Sequence, residues 1–200
     1  AGYKKPTSNQ QLVLPEAMAG KDVLASAPTG TGKTASFLLP AAQHLIDYPR
    51  TQPGYPRVLI LAPTRELALQ IEQQAQILTQ HTSIKTGVIT GGVNYGSHDE
   101  ILNSTTDMLI ATPGRLLEYI DNEQFDAREI ELLILDEADR MLDMGFADNI
   151  NRIAGEARWR KQTMLFSATL EGSGVIRFAK EILNEPVYLE SNPSRKEKNK

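Results

Sequence analysis

Short apolar, β-branched runs recur along this 200-residue chain, separated by longer amphipathic stretches. The runs predict strands over Val23–Ala27, Arg57–Ala62, Lys85–Thr90, Asp107–Ala111, Glu131–Leu135, Gln162–Phe166 and Val187–Leu189. Several, such as Val58–Leu61 and Leu132–Leu135, are apolar at every position instead of every second one. That pattern belongs to strands covered on both faces, as in a parallel sheet between two helical layers. The amphipathic stretches predict helices over Lys33–Asp47, Thr64–His81, Gly114–Asp121, Ala147–Gly155 and Gly174–Leu183. Their alternation gives an α/β, doubly wound fold with a central parallel sheet of about seven strands and helices on both faces. In such sheets ligands bind beyond the carboxyl ends of the strands, so the residues standing there carry the functional question.

Composition narrows the possibilities. A hydrophobic fraction of 40% with 23% charged residues is ordinary for a globular protein and excludes a wholly disordered chain. The net charge of −4 excludes nucleic-acid binding by overall positive charge, so any such contact must be local. Cysteine is absent, which removes disulfides and thiolate metal sites and favours a reducing compartment; the expected location is cytoplasmic. No apolar run approaches the ~20 residues that cross a bilayer, so no membrane partner is expected. Residues 191–200 are small, polar and basic, and read as a solvated linker after a domain spanning residues 1–190.

Two strand ends carry nucleotide chemistry. Ala27-Pro28-Thr29-Gly30-Thr31-Gly32-Lys33-Thr34 follows a buried strand and opens a helix. Glycines there let successive N–H groups face phosphate oxygens, and the helix N-terminus adds partial positive charge. Lys33 would reach the β/γ-phosphates, and the Thr34 hydroxyl would ligate Mg²⁺. Ala27 stands where the standard pattern begins with Gly. The second end, Asp136-Glu137-Ala138-Asp139, places acids after a buried strand, which is costly unless they face a cation or a solvated cleft. Asp136 would hold the metal and Glu137 would orient or deprotonate an attacking water. An acidic helix N-terminus is the alternative for these acids; the upstream phosphate loop favours the metal.

Other strand ends read as a nucleic-acid edge. Pro63-Thr64-Arg65 and Thr112-Pro113-Gly114-Arg115 each lead into a helix, with Thr112 as N-cap and Pro113 at the first helical position. Each offers free backbone N–H groups and an arginine, a combination that binds a phosphodiester backbone without reading bases. Gly91-Gly92 ends another strand and permits close backbone approach. Ser167-Ala168-Thr169 could close its strand as an ordinary turn, or its two hydroxyls could bond the acids and sense the γ-phosphate. Ordinary helix capping remains open for each of these ends taken singly.

Together these residues resemble the first RecA-like domain of a DEAD-box RNA helicase, a P-loop NTPase fold, over nearly the whole chain. Ala27–Thr34 is similar to motif I of that family, where Ala is also used at the first position, and Pro63–Leu69 to motif Ia. Gly91-Gly92 is similar to the GG motif, Thr112–Arg115 to motif Ib, Asp136–Asp139 to motif II and Ser167–Thr169 to motif III, in the family's order. Residues 2–10 resemble the Q motif, which implies that Tyr3 stacks on adenine and Gln10 hydrogen-bonds its edges; Asn9 departs from the usual apolar residue. The resemblance also implies ATP and Mg²⁺ as ligands, and motion coupled to hydrolysis through Asp139, Ser167 and Thr169. Arg140–Phe146 and Ala157–Gln162 look like a bacterial ribosome-assembly branch of the family, implying ribosomal proteins or pre-ribosomal particles as partners.

The resemblance further implies a second RecA-like domain, not contained in these residues, that completes the ATP site and the RNA groove. Without it, the expectation is weak nucleotide binding, barely any hydrolysis and no unwinding. A P-loop ATPase of another class would share the phosphate loop and acids but has no need of the other strand ends; a non-enzymatic RNA-binding module needs no Lys33. Arg158–Lys161 is read as a polar turn with Trp159 packed on the domain, in preference to a basic, aromatic RNA patch. His44, His81 and His98 lack metal-ligand spacing and are read as surface residues.

Overall fold

A computed structural model describes residues 8–26, 32–172 and 174–190. Tyr3, Ala27, Thr29, Gly30, Thr31 and the tail 191–200 lie outside the described residues. The strands are β1 (Val23–Ser26), β2 (Val58–Leu61), β3 (Thr86–Ile89), β4 (Met108–Ala111), β5 (Leu132–Leu135), β6 (Gln162–Ser167) and β7 (Val187–Glu190). They form one sheet in the order β3-β4-β2-β5-β6-β1-β7, and every pairing is parallel.

The sheet explains the unbroken apolar runs. Alternate residues of each strand enter two separate cores. Val23, Val58, Ile60, Met108, Ile110 and Ile134 pack under α1 (Ser8–Met18), α2 (Lys33–Asp47) and α3 (Arg65–Thr79). Leu24, Leu59, Leu61, Leu109, Leu133 and Leu135 pack on the other face. There they meet α5 (Pro113–Asp121), α6 (Ala138–Asp143), α7 (Ala147–Glu156) and α8 (Val175–Ile182). The short α4 (Asp99–Leu102) follows a 3₁₀ turn at Tyr95–His98.

The five predicted helices and seven predicted strands all form, with ends shifted by a residue or two. Helices α1, α4 and α6 and the 3₁₀ turn are additions. Helix α1 lacks a clean apolar stripe: it carries Pro15 in its interior and buries Val13 and Ala17 while Leu12 and Met18 stay exposed. Two readings are corrected. Trp159 is not packed on the domain but 68% exposed. The guanidinium of Arg160 closes that turn instead, donating to the carbonyls of Ala154, Ala157 and Ile182 and to Thr163 Oγ1. His98 is not a surface residue but buried beneath the end of β3. His44 is half-buried against Glu131, while His81 is exposed.

Because all strands run the same way, the segments after β1 to β6 emerge along one edge of the sheet. That edge gathers every strand-end motif of the described residues.

Candidate functional site

Helix α2 begins at Lys33, preceded by Gly32 in the left-handed region at φ 75°, a conformation that favours glycine. Gln10 of α1, itself buried, donates from Nε2 to the Gly32 carbonyl at 3.3 Å, tying α1 to the start of α2. Lys33 turns inward: its Nζ lies 2.9 Å from Asp136 Oδ1, with 6% and 0% of the two side chains exposed. Thr34, half-buried, stands one residue into the helix.

Asp136 follows β5 at the sheet's centre, where burial pushes its carboxyl up from the ordinary 3.8 and the Lys33 charge only partly offsets this. Its Oδ1 also accepts from the Glu137 amide at 3.0 Å, whereas Oδ2 is buried with no partner among the described residues. An orphaned buried carboxylate oxygen beside a lysine is an expensive arrangement in isolation. It fits a site that completes itself with a cation and phosphate oxygens. No cluster of three or more His, Cys, Asp or Glu able to hold a metal occurs among the described residues. The Asp136 carboxylate fits Mg²⁺, which is held by one or two carboxylates and substrate phosphates.

Glu137 adopts φ 50° at the N-cap of α6, a left-handed conformation rare for a residue with a side chain, and half-buries its carboxylate. Arg140 Nη1 lies 3.8 Å from it. Asp139, two residues after Glu137, accepts from both the amide and the hydroxyl of Thr169, at 3.2 and 2.9 Å. Ser167 does not reach an acid; its hydroxyl donates to the Thr169 carbonyl. The ends of β5 and β6 are thereby cross-linked through Asp139 and Thr169.

Further along the edge, Thr64 caps α3, its Oγ1 accepting from the Leu67 amide at 3.2 Å, and Arg65 is exposed after the buried Pro63. Thr112 occupies the N-cap position of α5 with Pro113 at the first helical position, yet its hydroxyl accepts from the Gly91 amide at 3.0 Å instead of capping its own helix. Gly114 is half-buried, and Gly92, at φ 79°, is exposed. Arg115 is turned away from solvent, 9% exposed. Its Nη2 donates to the Val93 carbonyl at 2.8 Å, and its guanidinium lies 4.2 Å from the Tyr95 ring centroid. The residues sequence reasoning missed here are Tyr95, His98 and Tyr119, which tie the 3₁₀ turn to α5; they carry no spacing signature.

A seven-stranded parallel sheet flanked by helices, with Lys33 and Asp136 joined at its carboxyl edge, defines a RecA-like P-loop NTPase domain. Comparison with known proteins gives the family. Residues 7–178 match the DEAD/DEAH box helicase model, and the chain belongs to that family. It is 57% identical over 199 residues to the ATP-dependent RNA helicase SrmB of Haemophilus influenzae, covering 100% of this chain and 45% of that protein. The same identity and coverage hold for SrmB of Escherichia coli. Among solved structures, a hypothetical ATP-dependent RNA helicase from Sulfolobus tokodaii superposes with a TM-score of 0.84 at 31% identity, over 95% of this chain and 54% of that one. The chain thus spans about half the length of these relatives. Among the described residues no helix is long and apolar enough to cross a membrane.

Proposed function

We propose that this chain is the ATP- and RNA-binding half of an ATP-dependent RNA helicase that couples ATP binding and hydrolysis to local separation of RNA duplexes. The observation that carries the reading is the buried Lys33–Asp136 pair, whose Oδ2 has no partner among the described residues, on the same edge as exposed Arg65 and the Gly91–Gly92 loop. Lys33 would pair with the β/γ-phosphates, Thr34 and Asp136 would hold Mg²⁺, and Glu137 would orient the attacking water. When bound, the metal would supply neutralisation of phosphate charge. Ala27, Thr29, Gly30, Thr31 and Gly32 would bind the phosphates, and Tyr3 and Gln10 the adenine.

RNA lies across Pro63, Thr64 and Arg65, Gly91 and Gly92, and Thr112, Pro113 and Gly114, held by phosphates and ribose hydroxyls without base reading. Arg115 serves this edge from beneath, through the loop it holds. Asp139, Thr169 and Ser167 link the state of the nucleotide to that edge. The likeness of Arg140–Phe146 and Ala157–Gln162 to a ribosome-assembly branch of the family favours a role in ribosome assembly, with pre-ribosomal particles as partners, in the cytoplasm. A second RecA-like domain, following residues 191–200, would supply an arginine finger to the ATP site. An arginine finger is worth about 10³–10⁵ in rate, so residues 1–200 alone hydrolyse ATP barely.

The test is anisotropy of labelled single-stranded RNA with Mg·ATP, on wild type, Arg65→Ala and Lys33→Ala. Arg65→Ala weakens binding equally for unrelated sequences and lowers the salt slope by about one, while Lys33→Ala abolishes nucleotide uptake. Nucleotide affinity indifferent to Lys33→Ala, or RNA binding confined to one sequence, overturns the proposal.

A further inference from the structure

Beyond Ile89 the chain leaves the sheet, and the next four residues form the loop assigned above to RNA. Three side chains pin that loop from below. The Thr90 amide donates to His98 Nε2 at 3.3 Å, the Gly91 amide donates to Thr112 Oγ1 at 3.0 Å, and the Val93 carbonyl accepts from Arg115 Nη2 at 2.8 Å. Gly92, between the pins, is exposed at φ 79°.

The histidine is the least expected of the three. A backbone N–H can only donate, so the contact with Thr90 requires Nε2 to be bare. In a neutral ring the proton then sits on Nδ1, which lies 2.7 Å from Tyr119 Oη. Tyr119, receiving that proton donor, passes its own hydroxyl hydrogen to the Tyr95 carbonyl at 3.1 Å. The Thr90 amide, His98 Nδ1 and Tyr119 Oη all meet acceptors only in that one tautomer. Tyr95 in turn lays its ring over the Arg115 guanidinium, so the network closes on the residue that holds Val93.

We propose that His98 is a positioning residue for RNA binding: its Nδ1-protonated neutral form, acting with Tyr119 and Tyr95, holds the Gly91–Gly92 loop and Arg115 in the arrangement that receives the phosphodiester backbone. The inference rests on the proposed RNA function of this edge. A loop held before binding loses less freedom on binding, which is where the affinity arises. Protonating the ring would place an Nε2–H against the Thr90 N–H and release the loop.

The charged and titratable groups around the ring favour the neutral form. Burial holds its titration below the ordinary value of 6.5, and Arg115 of α5 acts in the same direction. Asp99 of α4 opposes them. Tyr119 and Tyr95 are the remaining titratable groups of the network, with Glu118 of α5 lying 3.6 Å from Arg115.

The experiment combines imidazole ¹⁵N NMR of the full chain with RNA anisotropy of His98→Leu and His98→Gln, in Mg·ATP. The expected ring is the Nδ1–H tautomer, with the Thr90 and Gly91 amides shifting along the same titration curve as His98 when the pH is lowered. His98→Leu, which removes the acceptor, weakens RNA binding about fivefold or more, and His98→Gln, which retains one, stays within about twofold. Nucleotide affinity is unchanged in both variants. An Nε2-protonated ring at neutral pH, or amides that ignore its titration, overturns the inference on wild type alone, even if His98→Leu does not fold. RNA uptake by wild type that His98→Leu leaves intact overturns only the positioning role. A chain that takes up no RNA overturns that role together with the proposed function.

Discussion

Replacing Lys33 with alanine strips the buried Asp136 carboxylate of its countercharge, and the size of the consequence can be worked out. Asp136 has no exposed surface, and one of its oxygens lacks a partner among the described residues. With Lys33 gone, the group has one inexpensive escape, which is to take up a proton. Doing so at neutral pH costs about 1.4 kcal/mol for each pH unit above its ordinary value of 3.8. The ceiling on the loss is therefore about 4 kcal/mol, within the range for breaking a buried ion pair. The assay is urea unfolding without nucleotide, extrapolated to water. Lys33→Ala is expected to lose about 3–4 kcal/mol at pH 7, and its deficit should shrink by up to about 1.4 kcal/mol per unit as the pH is lowered. Adding Asp136→Asn removes the charge and should restore most of the loss. A Lys33→Ala chain as stable as wild type, or one that Asp136→Asn fails to rescue, refutes the reasoning.

Three other perturbations follow from the same geometry. Asp22 accepts from the amides of Thr163 and Asn184 at 2.8 and 2.6 Å, bracing β6 and the approach to β7. Asp22→Ala orphans both and should cost about 3 kcal/mol, seen as a Tm lower by about 10 °C; an unchanged Tm contradicts this. For Glu131, burial alone would raise the carboxyl, but hydrogen bonds from His44 and Arg57 and the Arg57 charge together hold it below the ordinary 4.5. A depressed folded value means stability that is present above 4.5 and lost as the pH falls through that folded value. The gap between wild type and Glu131→Gln in denaturant midpoint should therefore narrow on acidification below 4.5, and a gap that widens speaks against it. Thr169→Val deletes the hydroxyl bond to Asp139 while leaving Lys33 and Asp136 untouched. On the proposed function, Thr169→Val in the full-length protein should preserve ATP affinity and reduce RNA stimulation of hydrolysis; equal losses in both would deny a coupling role.

What could be seen in the sequence follows from how each feature is encoded. The strands are legible because a sheet buried on both faces demands unbroken apolar runs, and Val58–Leu61 or Leu132–Leu135 admit little else. Parallel pairing then places all their carboxyl ends on one edge, so Lys33 and Asp136 meet although 103 positions separate them. Helix α1 is illegible by periodicity because Pro15 interrupts it and its apolar residues face both core and solvent. The four-residue α4 and 3₁₀ turn are too short to show a period. The inward turn of Arg115 and the burial of His98 arise only when the 3₁₀ turn folds against α5, a long-range event that spacing does not record. Likewise, nothing local distinguishes Arg160, which closes its turn, from Arg158 on the other side of the exposed Trp159.

The central claim is that Lys33, Thr34 and Asp136 form a grip for a triphosphate and its metal. Titrating a fluorescent ATP analogue into wild type and Asp136→Asn, with and without Mg²⁺, tests it most directly. Wild type should bind markedly tighter with the metal, and Asp136→Asn should bind alike in both conditions. Affinity that ignores Mg²⁺ in wild type, or a metal dependence that survives in Asp136→Asn, would contradict it.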